Sequence, residues 1–220
     1  MPKISAKARA RKIKLILFDV DGVLTDGKIW IFPAPSDGKQ SVLEKSAGAS
    51  STQGASASQS GAPPAAQGGT SYRPFTLVEA KGFNAHDGAG ISLARLGGIK
   101  SGLITKRTSE TVALRARDLK MEHVHQGIHD KAGVMRQILE KEGITPAEAA
   151  FVGDDVIDLP VMRQCGLAIA VKNARPEVKA EAHYVTAHAG GNGAARDAIE
   201  FILKAQGKWK KVVADYTKER

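Results

Sequence analysis

The chain has 220 residues, a formal charge of +9 and one cysteine. That length suits one domain with a real core, and its longest apolar runs, such as 13–20, are far too short to cross a membrane. A lone thiol, Cys165, cannot close an internal disulfide, and the basic N-terminus lacks the apolar stretch of a secretion signal, so a reducing, cytoplasmic setting is expected.

The charge looks like a nucleic-acid signal until it is located. Residues 1–14 carry six bases and no acid, and residues 204–220 carry six bases against Asp215 and Glu219. What lies between is close to neutral, so the ends read as solvated basic tails and nucleic acid is not the expected partner.

In chain order, Lys14–Val20 (KLILFDV) reads as a buried parallel strand ending in acids and Gly22. Lys28–Phe32 is a second short strand, expected to halt at Pro33 and Pro35. Residues 45–70 then draw about twenty of their 26 residues from Ala, Ser, Gly and Pro, a composition that cannot bury apolar surface and predicts a flexible excursion. Thr76–Ala80 is a strand that could pair back with Lys28–Phe32, making the excursion an enlarged hairpin loop.

From there strands and helices alternate. The pattern predicts a helix over Ala89–Leu96, a strand over Lys100–Thr105, a helix over Ser109–Leu119 and a short strand at His123–His125. It continues with a helix over Lys131–Glu142, strands over Glu148–Val152 and Leu167–Val171, a short helix at Leu159–Gln164 and a helix over Ala194–Leu203. Such alternation argues for an α/β fold, a Rossmann-like, mainly parallel sheet with helices on both faces, whose site gathers at the carboxyl ends of the strands.

Four polar clusters each follow an expected strand. In Asp19-Val20-Asp21-Gly22 the two carboxylates fall on one side at the strand end, where their repulsion calls for a cation or a shared proton. One could be a metal-bound nucleophile and the other a general acid and base, although a plain Asp/Gly-rich turn has the same composition. Thr105-Lys106-Arg107 could hold a phosphate oxygen at a helix entrance, or Thr105 or Thr108 could simply cap that helix. Lys131 opens a helix against its dipole, which a site anion would explain and a solvated lysine would not require. Asp154, Asp155 and Asp158 put three carboxylates into five residues, suiting Mg²⁺ with oxygen ligands or, more plainly, a capped helix start.

His123, His125 and His129 read as a polar cluster at a strand end, and Cys165 as a small buried apolar residue. Trp30 and Trp209 fit either subunit contacts or isolated half-exposed aromatics.

Taken in order, DVDGVLTDG, ITKR, Lys131 and GDDVID resemble the haloacid dehalogenase superfamily. With KGFNAHDGAGI, GLAIAVKNARPEV, HYVT and GGNGAARDAIEFIL, the resemblance narrows to the 3-deoxy-D-manno-octulosonate 8-phosphate phosphatase family over about residues 12–206. It implies an Mg²⁺-dependent phosphatase with a small β-hairpin flap and no large cap domain, in the pathway supplying cell-surface lipopolysaccharide. Asp19 would attack phosphorus and ligate the metal. Asp21 would be the acid and base and lend its backbone carbonyl to the metal, and Asp154 would be the third ligand. Thr105 and Lys131 would hold the phosphoryl group.

The same resemblance places Asn84, Ala85, His86, Asp87, Gly88, Arg107 and Arg115 where the family touches its sugar acid. It also implies a homotetramer with hairpins at its centre and a neighbour's C-terminal tail over the site. The expected layout is a basic tail at 1–12, a phosphatase domain at 13–206 with the insert at about 36–71, and a basic tail at 207–220. Three positions depart from the family: Lys106 stands for Gly, and His86 and Ser92 each stand for Arg. Losing guanidinium donors weakens carboxylate recognition, so another sugar phosphate or nonulosonate phosphate is the alternative substrate. A non-catalytic oligomerisation module is the alternative role, opposed by the presence of all five central residues.

Overall fold

The computed structural model describes residues 4–35 and 75–218, so the expected insert at 36–71 lies outside the described residues. In chain order the elements are α1 (Ala6–Ala10), β1 (Leu15–Phe18), β2 (Trp30–Pro35), β3 (Phe75–Ala80), α2 (Ala85–Leu96), β4 (Lys100–Ile104), α3 (Glu110–Asp118) and β5 (His123–His125). They continue with α4 (Lys131–Glu142), β6 (Ala149–Gly153), α5 (Leu159–Met162), β7 (Leu167–Ala170), α6 (Pro176–Glu181), β8 (Tyr184–Val185), α7 (Ala194–Ala205) and α8 (Trp209–Lys218).

Six strands form one sheet in the order β5-β4-β1-β6-β7-β8, and every ladder described in it is parallel. β1 is central and wholly buried, as its uninterrupted Leu-Ile-Leu-Phe run requires of a strand covered on both faces. The chain moves out from β1 to β4 and β5, then returns to lay β6 on the other flank, so the winding reverses beside β1. A reversal of that kind opens a crevice at the carboxyl ends of the strands. Register puts Phe18 opposite both Leu103 and Val152, so the residues that follow these strands emerge side by side.

β2 and β3 pair as a separate two-stranded sheet, within a compact unit spanning Ile31–Glu79. Pro33 and Pro35 do not halt β2. In a two-stranded sheet each strand keeps an open edge, where a missing N–H costs no ladder bond. Ile31, Phe32, Leu77 and Val78 are exposed on it.

The tails expected to be solvated are helical. Trp209, Val212, Val213 and Tyr216 recur at helical spacing and give α8 an apolar stripe, with Val212 buried. Ser5 caps α1, accepting the Ala8 N–H at 3.3 Å, and Ala10 is buried. Gln206 Nε2 donates to the carbonyls of Ala10 (3.2 Å) and Ile13 (2.7 Å), tying the two ends of the chain together. Many of the charges remain solvated: Lys7, Arg11, Lys12, Lys210 and Lys211 are exposed.

α2 starts four residues earlier than its apolar periodicity indicates, because Gly88 and Gly90 blunt the helical signal there. Both are closely packed: a Cβ on Gly88 would meet the mobile end of Arg115, at Nη2, at 2.5 Å, and one on Gly90 would meet the Arg196 backbone at 3.1 Å. α6, entered through Pro176, and the two-residue β8 are short elements that the sequence pattern did not define. Cys165 is buried as expected, and burial pushes its thiol up to about 12. His123 is buried with Nε2 2.9 Å from Glu142 Oε1, and Trp209 lies between Arg196 and Lys204 at 5.3 and 5.2 Å.

Candidate active site

All four polar clusters converge at the carboxyl end of the sheet, three of them following strands and Lys131 opening a helix. Asp19 follows β1, and its backbone N–H donates to the Val152 carbonyl at 3.0 Å, which fixes it beside the end of β6. Its Oδ1 accepts the Val20 N–H at 2.7 Å, and its Oδ2 lies 2.8 Å from Lys131 Nζ. Thr105 follows β4 and is buried, with its own N–H donating to the His125 carbonyl at 2.9 Å. Asp154 follows β6.

Lys131, the first residue of α4, is buried, and its Nζ also donates to Asp158 Oδ1 at 2.7 Å. Burial alone would pull this ammonium down, but Asp158 and Asp19 outweigh it and hold it above its ordinary value. The same two carboxylates offset the unfavourable helix dipole, so Lys131 is not a solvated lysine. Asp130 takes the capping role instead, accepting the Gly133 N–H at 2.8 Å.

Asp158 has no solvent exposure. Its second oxygen accepts the backbone N–H groups of Asp154 (3.0 Å) and Asp155 (3.4 Å), so capping and site building are one arrangement here. One carboxylate oxygen each from Asp19, Asp154 and Asp158 lies within 4.8 Å of the others. Burial, with Asp158 adding and Lys131 opposing, pushes Asp19 up to about 6. Burial and the charges of Asp158, Asp19 and Asp155 push Asp154 up to about 7. Asp154 Oδ1 is buried with no hydrogen-bond partner among the described residues. A divalent cation fits this donor set: it would satisfy that oxygen and relieve the repulsion that raises both carboxyls.

Backbone geometry leaves no slack. Gly22 has φ +88°, and a Cβ there would meet Asp154 Oδ2 at 2.2 Å. A Cβ on Gly190 would meet the Gly22 carbonyl oxygen at 1.7 Å, so the GGNG loop is pressed against the loop that carries Asp21. Asp21 lies outside the carboxylate trio. Its Oδ1 accepts from Lys81 Nζ, and its Oδ2 is 3.7 Å from Arg107 Nε. Asp19, Asp21, Thr105, Lys106, Arg107, Asp154, Asp155 and Ile157 line one open cleft of about 220 Å³. Sequence reasoning missed Lys81 and left Asp158 at the margin. The signal for Lys81 was a lone cation ahead of the FNAHDG run; the signal for Asp158 was its spacing from Asp154.

The seven residues expected to touch a sugar acid are not brought together within this chain. Arg107 lines the acidic cleft, whereas Asn84, Asp87, Gly88 and Arg115 line a second, smaller and mainly apolar pocket with room for about one water, about 10 Å³. Asn84 caps α2 through the His86 N–H at 2.7 Å. Asp87 turns inward and accepts the N–H groups of Gly193 (3.2 Å) and Arg196 (2.9 Å), anchoring the start of α7. Ala85 and His86 are exposed on the first turn of α2. Ser92 spends its hydroxyl on its own helix, 3.4 Å from the Gly88 carbonyl.

Residues 104–197 match the model of the haloacid dehalogenase-like hydrolase family. The chain is 35% identical over 201 residues to the 3-deoxy-D-manno-octulosonate 8-phosphate phosphatase of Escherichia coli K12, covering 91% of this chain and 85% of that protein. A crystal structure of the phosphatase of that name from Moraxella catarrhalis, in complex with magnesium, phosphate and KDO, is 30% identical with a TM-score of 0.73, covering 96% of this chain and 97% of that one. The cobalt-bound Haemophilus influenzae deoxy-D-mannose-octulosonate 8-phosphate phosphatase is 26% identical with a TM-score of 0.66, covering 91% and 92%. With the strand-end acids, the buried lysine and these matches in agreement, the chain belongs to the 3-deoxy-D-manno-octulosonate 8-phosphate phosphatase family of haloacid dehalogenase-like hydrolases, and its activity class is phosphoric monoester hydrolysis.

Proposed function

We propose that this chain is an Mg²⁺-dependent phosphatase acting on 3-deoxy-D-manno-octulosonate 8-phosphate or a close 2-keto-3-deoxy sugar acid, through an aspartyl-phosphate at Asp19. The observation that carries the reading is the lock of Asp19 and Asp158 onto Lys131 beside an Asp154 oxygen that has no hydrogen-bond partner among the described residues. Asp19, Asp154 and the backbone carbonyl of Asp21 would hold the metal. Asp158, with both oxygens already engaged, would orient Lys131 and the Asp154 loop from outside the coordination sphere. When bound there, Mg²⁺ would screen the charge between carboxylate and phosphate and draw electron density from the phosphoryl oxygens.

The remaining steps belong to the chain. The Asp19 carboxylate attacks phosphorus, forming an O–P bond as the ester O–P bond breaks, and the Asp21 carboxyl gives its proton to the leaving alkoxide. Asp21, now ionised, takes a proton from water. That water oxygen attacks phosphorus and breaks the acyl-phosphate O–P bond, which returns Asp19 as a carboxylate and frees phosphate. Lys131 and Thr105 hold phosphoryl oxygens throughout, with Lys131 neutralising charge in the transition state. Assembly as a homotetramer in the cytoplasm completes the proposal.

His86 and Ser92 favour a second reading within the same chemistry, a different sugar-acid phosphate, because the Ser92 hydroxyl faces its own helix and supplies no guanidinium. Phosphate release from a panel of sugar-acid phosphates, with Mg²⁺ and with a chelator, tests both. Chelator-sensitive turnover fastest on the 8-phosphate supports the first reading, and a faster relative supports the second. No turnover on any member would overturn both.

A further inference from the structure

We infer that Lys81 is a positioning residue for proton transfer: it ties down one oxygen of Asp21 so that the other is presented to the leaving group. The inference rests on the phosphatase mechanism proposed above and deepens it.

The Lys81 side chain is 1% exposed, and its ammonium donates to Asp21 Oδ1 across 60 positions of sequence. A buried ammonium is costly unless a partner meets it, so the pair fixes both side chains. Asp21 itself is partly exposed, sits in the turn that follows β1 rather than in the strand, and would otherwise sample several rotamers. With Oδ1 engaged, Oδ2 is the oxygen left toward Arg107, 3.7 Å away, and both Asp21 and Arg107 line the cleft.

Lys131 already serves Asp19 and Asp158, at 2.8 and 2.7 Å. The site therefore holds two buried lysines with different carboxylate partners, one at the nucleophile and one at the proton carrier. Lys81 is not among the residues that line the cleft, so its effect passes through Asp21. Chemical steps that need no proton from Asp21 should then be indifferent to it.

The test is kcat/KM for a series of phosphate monoesters, from alkyl esters to nitrophenyl phosphate, in the wild type and in Lys81→Met. An alkoxide must be protonated as it departs, whereas nitrophenolate leaves without help. Lys81→Met is expected to lose about 100-fold on alkyl esters and only a few-fold on nitrophenyl phosphate, so that the dependence on leaving group steepens. In an Asp21→Asn background the same replacement should cost little further. Equal loss across the series, or a loss undiminished in that background, would mark damage to the fold or to phosphate binding and overturn the inference alone. A wild type that hydrolyses no ester in the series would overturn the mechanism beneath it.

Discussion

Around Asp19 the charges hold one another: Lys131 bridges Asp19 and Asp158, and Asp158 grips the backbone that carries Asp154. Around Arg115 the walls are apolar, with Leu24, Ile91, Leu103 and Val112 among them, and the guanidinium Nε is buried with no hydrogen-bond partner among the described residues. The first region is an interlock in which removing any member leaves another charge stranded. The second leaves one buried guanidinium nitrogen without a hydrogen-bond partner among the described residues. The two regions are thus held by different forces, and replacements should separate them.

The largest effect is expected from Asp19→Asn, which removes the nucleophile and should cut phosphate release by about 10⁴-fold or more. Lys131→Met should follow, with about a 10³-fold loss in kcat. It should also destabilise the fold by about 3–5 kcal/mol in thermal or denaturant melts, because two buried carboxylates lose their counterion. Adding Asp158→Asn to Lys131→Met should restore part of that stability and none of the turnover. Recovery of activity would break the distinction between an interlocked catalytic centre and its surroundings.

A smaller effect concerns pH. Folded Asp19 and Asp154 keep protons up to about 6 and 7, whereas unfolded carboxyls shed theirs near 3.8. The metal-free fold therefore binds more protons than the unfolded chain in that interval, and its stability should fall as pH rises from about 4 to 7. Mg²⁺ should raise the melting temperature more at pH 7.5 than at pH 5. An Mg²⁺ effect independent of pH would contradict the role given to those two carboxyls. Smallest of all, Arg115→Ala should raise KM for a sugar-acid phosphate about tenfold while leaving nitrophenyl phosphate turnover unchanged. A drop in both would tie the second pocket to the chemistry after all.

Much of the catalytic centre was legible because its residues sit at the ends of strands, and strands announce themselves by apolar runs such as Leu15–Phe18. Asp19, Thr105 and Asp154 needed only the expectation that such ends converge. Lys81 was not legible, since its value depends on a partner 60 residues away. Charge hid α8: the lysines dominated the composition while Trp209, Val212, Val213 and Tyr216 carried the helical stripe. Asp87 has a structural task that its motif did not announce. Its place in a family motif pointed to substrate, yet its carboxylate caps the start of α7.

The most direct test of the account is to find the phosphoryl group on the protein. Asp21→Asn removes the base of the second step, so with ³²P-labelled nitrophenyl phosphate, whose leaving group needs no proton, rapid acid quench should leave a hydroxylamine-labile label on the peptide containing Asp19. Label on another residue, or turnover by a wild type that never carries any, would contradict it.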